Sequence, residues 1–442
     1  MKDLFDFSKT YAGTIFLNAK KFPCTLSFPN HHIIFKLIAE DQNSFIKGMT
    51  AFDFEGYVAT ESGTMNFKAI KALQVHGSTN HTRYSSEHYQ PEALMVTHVD
   101  NDLDLREFGQ ANILFDHLES IGRFVETDYP IDGRMIFEFK RKFEKINFYK
   151  EKTEFMNLQN PFYYRFENAS KNIFSASIEP FFEYVPEAPI TYNDLGRIVK
   201  ELSWFIQLIF GSRQFATDLL VYPKPIGSTS EVMVLPYYFF NQEMIEKKVG
   251  ANIRTSFHPV YDVEKIQKEI KVSFAMWKNF NKIQRKIYIL YYNEINSPSH
   301  VRDDRFKNLA AIIQGLEAFG TTVKIDGLKG DMYKKLRYAC DDILWALIKT
   351  VLAEDLIFKL FEVMSVQRDH FQHLNKPLKF DLNEDGADMI AVNHLMKCMI
   401  RYHLLKAVYF PEDKTIKLIK QDLHNITMPM RKLQVKLKKR YQ

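Results

Sequence analysis

Cysteine is scarce in this chain, with three residues among 442, at positions 24, 340 and 398. They form neither a C-x-x-C pair nor an even framework, which excludes a disulfide scaffold and a cysteine-based zinc site. Long apolar runs are missing as well. No stretch approaches the roughly 18 apolar residues of a membrane span, and the opening MKDLFDFSKTYAG carries neither an apolar core nor a small-residue cleavage site. The expectation is a cytoplasmic protein that makes no membrane contact. Nor are there glycine-rich phosphate loops, a G-x-S-x-G elbow, an H-E-x-x-H pair, an internal repeat or a low-complexity block. The acidic stretch DLNEDGAD at 381–388 lacks the D-x-D-x-D-G order and the twelfth-position glutamate of a calcium loop. Its Glu384, Asp385 and Asp388 suit the start of a helix. His394 and His403 stand nine positions apart, about 180° on a helix, so they do not chelate one ion and read as ordinary helix residues. No metal and no cofactor are expected.

What the chain has in plenty is apolar and aromatic side chain: 46% hydrophobic and 14% aromatic, with 38 Phe and 22 Tyr, beside 26% charged. Such a chain folds, and its length exceeds what one core supports, so two or three domains are expected. From about residue 10 to 187, short apolar or alternating runs such as GTIFL, CTLSF, HIIFKLIAE, MNFKAI and SASIEPFFEYV are broken by Gly, Asn, Asp and Pro. These read as strands of a sandwich or barrel-like module. The aromatic residues of that half read as core more readily than as a base-stacking platform.

A helical period begins after Thr191, which can cap the segment at 192–211, and Gly211 can end it. A second helical stretch is expected at 262–295, and the break INSPSH places a domain boundary between 298 and 303. Beyond it nearly everything is helical, four or five helices forming a bundle over 303–425. The expected fold class is therefore α+β: a strand-rich N-terminal region (1–298) with added helices, then an all-helical domain. Positive charge gathers after position 413, where Asp422 alone opposes Lys414, Lys417, Lys420, Arg431, Lys432, Lys436, Lys438, Lys439 and Arg440. Residues 426–442 are expected to form a basic tail.

One short stretch carries chemistry. In SVQRDHFQHLNKP (365–377), polar groups from Gln367 to His373 follow the apolar positions Leu356, Ile357, Leu360, Phe361 and Met364, and Asn375 and Pro377 stop the helix. The spacing R-x-x-x-x-H is a weak pattern alone, and the chain has it twice. The other, Arg83 to His88, lies in a polar segment that reads as a loop. Five positions are about 140° of ideal helix, so Arg368 and His373 do not share a face unless the helix is unwinding at the histidine. Cations capping a helix C-terminus would explain part of the cluster without function. As chemistry, an Arg can grip a phosphate bidentately and neutralise charge growing on phosphorus, and a His can move a proton near neutral pH. RNA carries its own nucleophile, the 2′-hydroxyl, so such a pair suffices for metal-free cleavage of RNA and spares DNA.

The helices around QRDHFQH resemble the HEPN superfamily of helical bundles, whose hallmark is R-x(4 to 6)-H with a polar residue after the Arg, here Arg368, Asp369 and His373. More narrowly, an opening helix with FKNLAAIIQGLEAFG behind a strand-rich half is similar to ApeA-like bacterial anti-phage proteins. The resemblance implies a metal-independent endoribonuclease acting in abortive infection. In it Arg368 would hold the scissile phosphate, His373 would serve as general base or acid, and Asp369 would orient one of them. His370 and Glu317 are candidates for supporting roles. It further implies a homodimer or higher even oligomer, RNA as substrate with tRNA among the candidates, and a phage-encoded trigger protein sensed by the N-terminal region. Lys436, Lys438, Lys439 and Arg440 are candidates for tracking the RNA backbone. The superfamily also contains non-catalytic scaffolds that bind RNA or a partner protein, and that reading stays open.

Overall fold

The computed structural model describes residues 5–17, 20–39, 51–61, 63–79, 85–98, 107–115, 118, 125–128, 138–141, 145–151, 154–159, 162–168, 173–178, 180–211, 214–223, 237–241, 244, 263–296, 302–328, 331–373, 378, 380–382, 384 and 386–441. The architecture is mixed: a strand-rich N-terminal region followed by helices. Contacts divide the chain into two units, one of residues 1–203 and 215–263, the other of 204–214 and 264–442.

In the first unit, β1 (Tyr11–Leu17), β2 (Lys20–Ser27), β3 (Ile34–Ala39), β4 (Phe52–Thr60), β5 (Gly63–Thr79) and β6 (Ser85–Gln90) pair antiparallel in the order β4-β1-β2-β3-β6-β5. Pairing then returns from β5 to β4, so among the described residues these six strands close a barrel, which leaves no edge within the ring. The alternation read from the sequence sends one side chain in two inward. Ile15, Cys24, Leu26, Phe35, Leu37, Phe54, Val58, Met65, Phe67 and Tyr89 are all buried there. Phe35 stacks on Phe67 at 4.7 Å and meets Phe54 edge-on at 5.1 Å, so aromatic side chains fill the interior. Two glycines make this closure possible. A Cβ on Gly13 would strike the carbonyl of Tyr57, and one on Gly56 the carbonyl of Thr14, the close backbone approach for which strands use glycine.

β5 serves two partners. Its residues Met65–Ile70 pair with β7 (Ala93–His98) and its end, from Leu73 to Thr79, pairs with β6. Between them Lys71 adopts a left-handed φ of 50°, its N–H held by Asp53 Oδ1 at 2.8 Å. From β7 the same sheet continues through Tyr237–Asn241, Ala216–Tyr222, Gln110–Phe115, Phe181–Val185, Glu154–Gln159 and Lys145–Glu151.

Helix α1 (Tyr192–Phe210) begins and ends where its signals stand. Thr191 exchanges hydrogen bonds with Asp194, and Gly211 follows at φ 71° with its N–H on the Gln207 carbonyl. Its end, from Trp204, belongs to the second unit. There Phe205 lies 5.0 Å from Phe274, Trp204 lies 5.3 Å from Tyr292, and the Tyr288 hydroxyl donates to the Trp204 carbonyl. This aromatic packing groups the helical stretch after 263 with the C-terminal helices, so the division falls ahead of the composition break at 298–303.

That stretch is two helices, α2 (Val263–Lys278) and α3 (Lys282–Asn296), rather than one. Asn281 interrupts it. Its Oδ1 accepts from the N–H groups of Ile283 and Gln284, both at 3.0 Å, while Gln284 Oε1 accepts from Asn281 N–H at 2.9 Å. This is a reciprocal capping box, legible in N-K-I-Q once sought. Then come α4 (Arg302–Gly315), a 3₁₀ turn (Leu316–Phe319), α5 (Asp331–Tyr338), α6 (Asp342–Ile348), α7 (Glu354–His373), α8 (Ala387–Ala407), α9 (Glu412–His424) and α10 (Thr427–Tyr441). The basic segment expected as a tail is therefore a packed helix: Met430, Leu433 and Leu437 recur at spacings of three and four and are buried. All three cysteines are free and buried. No helix among the described residues is long and apolar enough to cross a membrane.

Candidate functional site

Helix α7 changes character along its length. Leu356, Ile357, Leu360, Phe361, Val363 and Met364 are buried, and the last two turns then present the polar groups of the motif. Gln367 remains in the core at 1% exposure, its Oε1 accepting the N–H of Leu382 at 3.2 Å. The Leu382 carbonyl in turn accepts the N–H of Met389 at 3.1 Å. A single buried amide thus ties the end of α7 to the start of α8, and nothing in the motif's spacing announced it.

Arg368 lies next to this anchor. Its side chain is 22% exposed, enough to reach a ligand, and its Nη1 pairs with Asp369 Oδ1 at 3.1 Å. Neighbours in sequence point to different sides of a helix, so the long arginine must bend to meet the shorter carboxylate. Asp369 therefore holds Arg368. His370 lies against Phe371 at 6.0 Å between ring centres. His373 is the last residue of α7; its side chain, with Asn375, Pro377, Asp385 and the Arg83 of the second spacing match, lies outside the described residues.

The opening helix of the expected bundle, α4, reaches the motif through Phe371. Phe306 meets that ring at 5.8 Å, and the Lys307 ammonium sits 5.3 Å over it. Lys307 is a cation at the motif that pattern reading missed; the only available signal was the polar residue beside an apolar stripe. Glu317 goes elsewhere. Among the described residues its ion pair is with Lys335 of α5, at 2.6 Å, and none is made with Arg368.

The basic candidates of α10 separate in the same way. Lys436 is bound to Asp388, a carboxylate 4% exposed in the first turn of α8, at 2.7 Å, which fastens α10 to that turn. Lys438, Lys439 and Arg440 are exposed on the last turn. Asp388, at the end of the acidic stretch, is thus engaged by a lysine of α10, and among the described residues no group of three or more His, Cys, Asp or Glu is placed to hold a metal ion.

The two histidines of α8 lie as their spacing requires, His394 exposed and His403 buried. His403 Nε2 faces the Ala339 carbonyl at 2.7 Å and Nδ1 faces Thr321 Oγ1 at 2.8 Å. A carbonyl only accepts, so Nε2 carries the proton and Nδ1 accepts from the threonine. Burial lowers the pKa of this imidazole below its ordinary value, ahead of the opposing pull of the Ala339 carbonyl and Asp341. His403 is a structural group.

No family model matches the chain, and neither does any curated protein or solved structure.

Proposed function

We propose that the helical unit is a metal-independent endoribonuclease of the HEPN kind, and that the strand-rich unit senses or restrains it in an anti-phage response. The observation that carries the reading is Arg368 itself: a guanidinium on the closing turns of a packed helix, open enough to meet a phosphate and braced at 3.1 Å by its neighbour. The Gln367 anchor supports it, since it fixes the helix end that carries Arg368; the Lys307 ammonium over Phe371 stands near the motif, although it is shared with Asp304 at 3.3 Å.

In this mechanism Arg368 binds the non-bridging oxygens of the scissile phosphate and neutralises the charge that develops on them. His373 accepts the proton of the 2′-hydroxyl as that oxygen attacks phosphorus, and a proton is returned to the departing 5′-oxygen. The new bond is 2′-O to P, the broken one P to 5′-O, and the product is a 2′,3′-cyclic phosphate. Asp369 keeps the guanidinium in place until the substrate displaces it. A second copy of the chain would supply the matching motif across a two-fold cleft.

A scaffold that binds RNA without cutting it is the second reading, favoured by the carboxylate that already half-neutralises Arg368. Arg368→Ala and His373→Ala separate the two. An enzyme loses roughly a hundredfold or more in cleavage rate with each while its circular dichroism and sedimentation stay unchanged. Equal processing by both variants and the parent protein would refute catalysis by this motif.

A further inference from the structure

The barrel fills its interior with aromatic rings, yet two rings lie on its outer wall. On β1 and β4, Ile15 and Val58 are fully buried, so the alternation of side chains turns their neighbours Phe16 and Tyr57 outward. There Phe16 is 39% and Tyr57 38% exposed, and the ring centres stand 6.0 Å apart. The two form a diagonal pair across the β1–β4 ladder, in which Phe16 faces Glu55 and Thr14 faces Tyr57. The ladder to β2 sets Lys21 opposite Phe16, and its ammonium stands 5.7 Å from the centre of that ring.

Two carboxylates share this wall on β4, and both are engaged. Glu55 is bridged at 3.0 Å by Lys68, its register partner on β5, and Asp53 accepts the N–H of Lys71 at 2.8 Å. Tyr57 lies at the other end of that outward row, between the uncharged Thr14 and Asn66. Lys21 makes no ion pair among the described residues, so an exposed cation is left over an exposed ring. Lys36 of β3 is exposed on the same wall, set outward by the buried Phe35 and Leu37.

We propose that this outer face of the barrel binds single-stranded nucleic acid, with successive bases stacking on Phe16 and Tyr57 and a backbone phosphate meeting Lys21. Rings on a convex wall offer faces and edges, not a pocket. An apolar anchor from a protein partner needs a pocket to fill, whereas every base has a π-face and brings its own anion. Stacking reads no hydrogen-bond pattern, so the face tolerates many sequences. The binding stands whether or not the helical unit cleaves RNA. Stabilisation of the ladder alone would account for the pairing of the rings, so the test reads binding and stability separately.

The test uses the full-length protein in EDTA and a fluorescein-labelled 2′-O-methyl oligouridylate, whose blocked nucleophile keeps it intact whatever the helical unit does. Anisotropy is titrated at several salt concentrations for the parent, Phe16→Ala, Tyr57→Ala, the double alanine variant, Phe16→Tyr, Tyr57→Phe and Lys21→Gln, and each is melted. A 4-thiouridine version of the probe is photo-crosslinked to the parent and its attachment is mapped by mass spectrometry. Each alanine should weaken binding about tenfold, and the two variants that keep a ring should bind as the parent does. Lys21→Gln should lower the salt slope by about 0.7. Crosslinks should fall in β1 and β4. Crosslinks confined to the helical unit, no binding by the parent, or parent-like binding by the double alanine variant overturns the proposal. An acidic peptide of alternating Glu and Leu is titrated in parallel. Its binding, lost with Phe16→Ala while that of the oligonucleotide is unchanged, assigns the face to a protein partner and overturns the nucleic-acid assignment. Because the crosslinks are read on the parent, a variant that melts early leaves the outcome decidable.

Discussion

Arg368 and Asp369 share one ion pair, and the physical question at this scale is what the carboxylate costs the site. Both side chains are partly exposed, 22% and 34%, so the pair is worth no more than about 1 kcal/mol. Asp369→Asn removes the competing anion and keeps the side-chain shape, and RNA affinity should rise about fivefold in an anisotropy titration. A weaker affinity would mean that Asp369 assists binding, and an unchanged one that it does not compete with the RNA. Arg401 presents the opposite case, a fully buried cation. It donates to the carbonyls of Leu208 and Ile209, which α1 leaves unsatisfied at its end, and pairs with Asp422. Arg401→Ala strands a carboxylate and two carbonyls, so urea unfolding of the helical unit should lose about 3–5 kcal/mol. His403 adds a pH term. Its folded pKa lies below the unfolded value, so the neutral ring contributes stability that is complete above about pH 6.5 and is lost as pH falls through the folded pKa. Melting followed from pH 7.5 to 5 should decline in that window, and the decline should be shallower in His403→Gln.

At the level of elements, much of the chain was legible because local signals and tertiary packing agree. Thr191 and Gly211 bound α1, and the stripe from Leu356 to Met364 buries α7 as its period requires. The strands of the N-terminal half were readable by alternation, but barrel and sandwich share that pattern. The choice rested on the pairing of β5 with β6, turned at Lys71, a residue with no sequence signature for a left-handed conformation. Two readings failed for identifiable reasons. The capping box at Asn281 was overlooked within an apolar period, and the C-terminal lysines hid the buried spacing of Met430, Leu433 and Leu437. Asn281→Ala should cost about 1 kcal/mol in thermal denaturation. Leu433→Ala should cost about 2–5 kcal/mol, whereas a solvated tail would register nothing. Of the site, the motif was visible and its supports were not. Gln367 and Lys307 matter through contacts made outside their own helices, to which spacing along one helix is blind.

Across the whole molecule, two units each hold a core of their own, and the chemistry proposed for the chain resides in the helical one. The barrel interior is occupied by aromatic rings, so the sensing proposed for this unit would have to use its outer surface or its loops. The central claim is that Arg368 and His373 cleave RNA through its own 2′-hydroxyl without a metal. The measurement is the chemistry of the fragment ends after total cellular RNA is incubated with the full-length protein in EDTA, in buffer and in phage-infected lysate. The account predicts 2′,3′-cyclic phosphates and 5′-hydroxyls that vanish with Arg368→Ala and with His373→Ala. Fragments ending in 3′-hydroxyls, cleavage that appears only when a divalent metal is added, or no cleavage in either setting would contradict it.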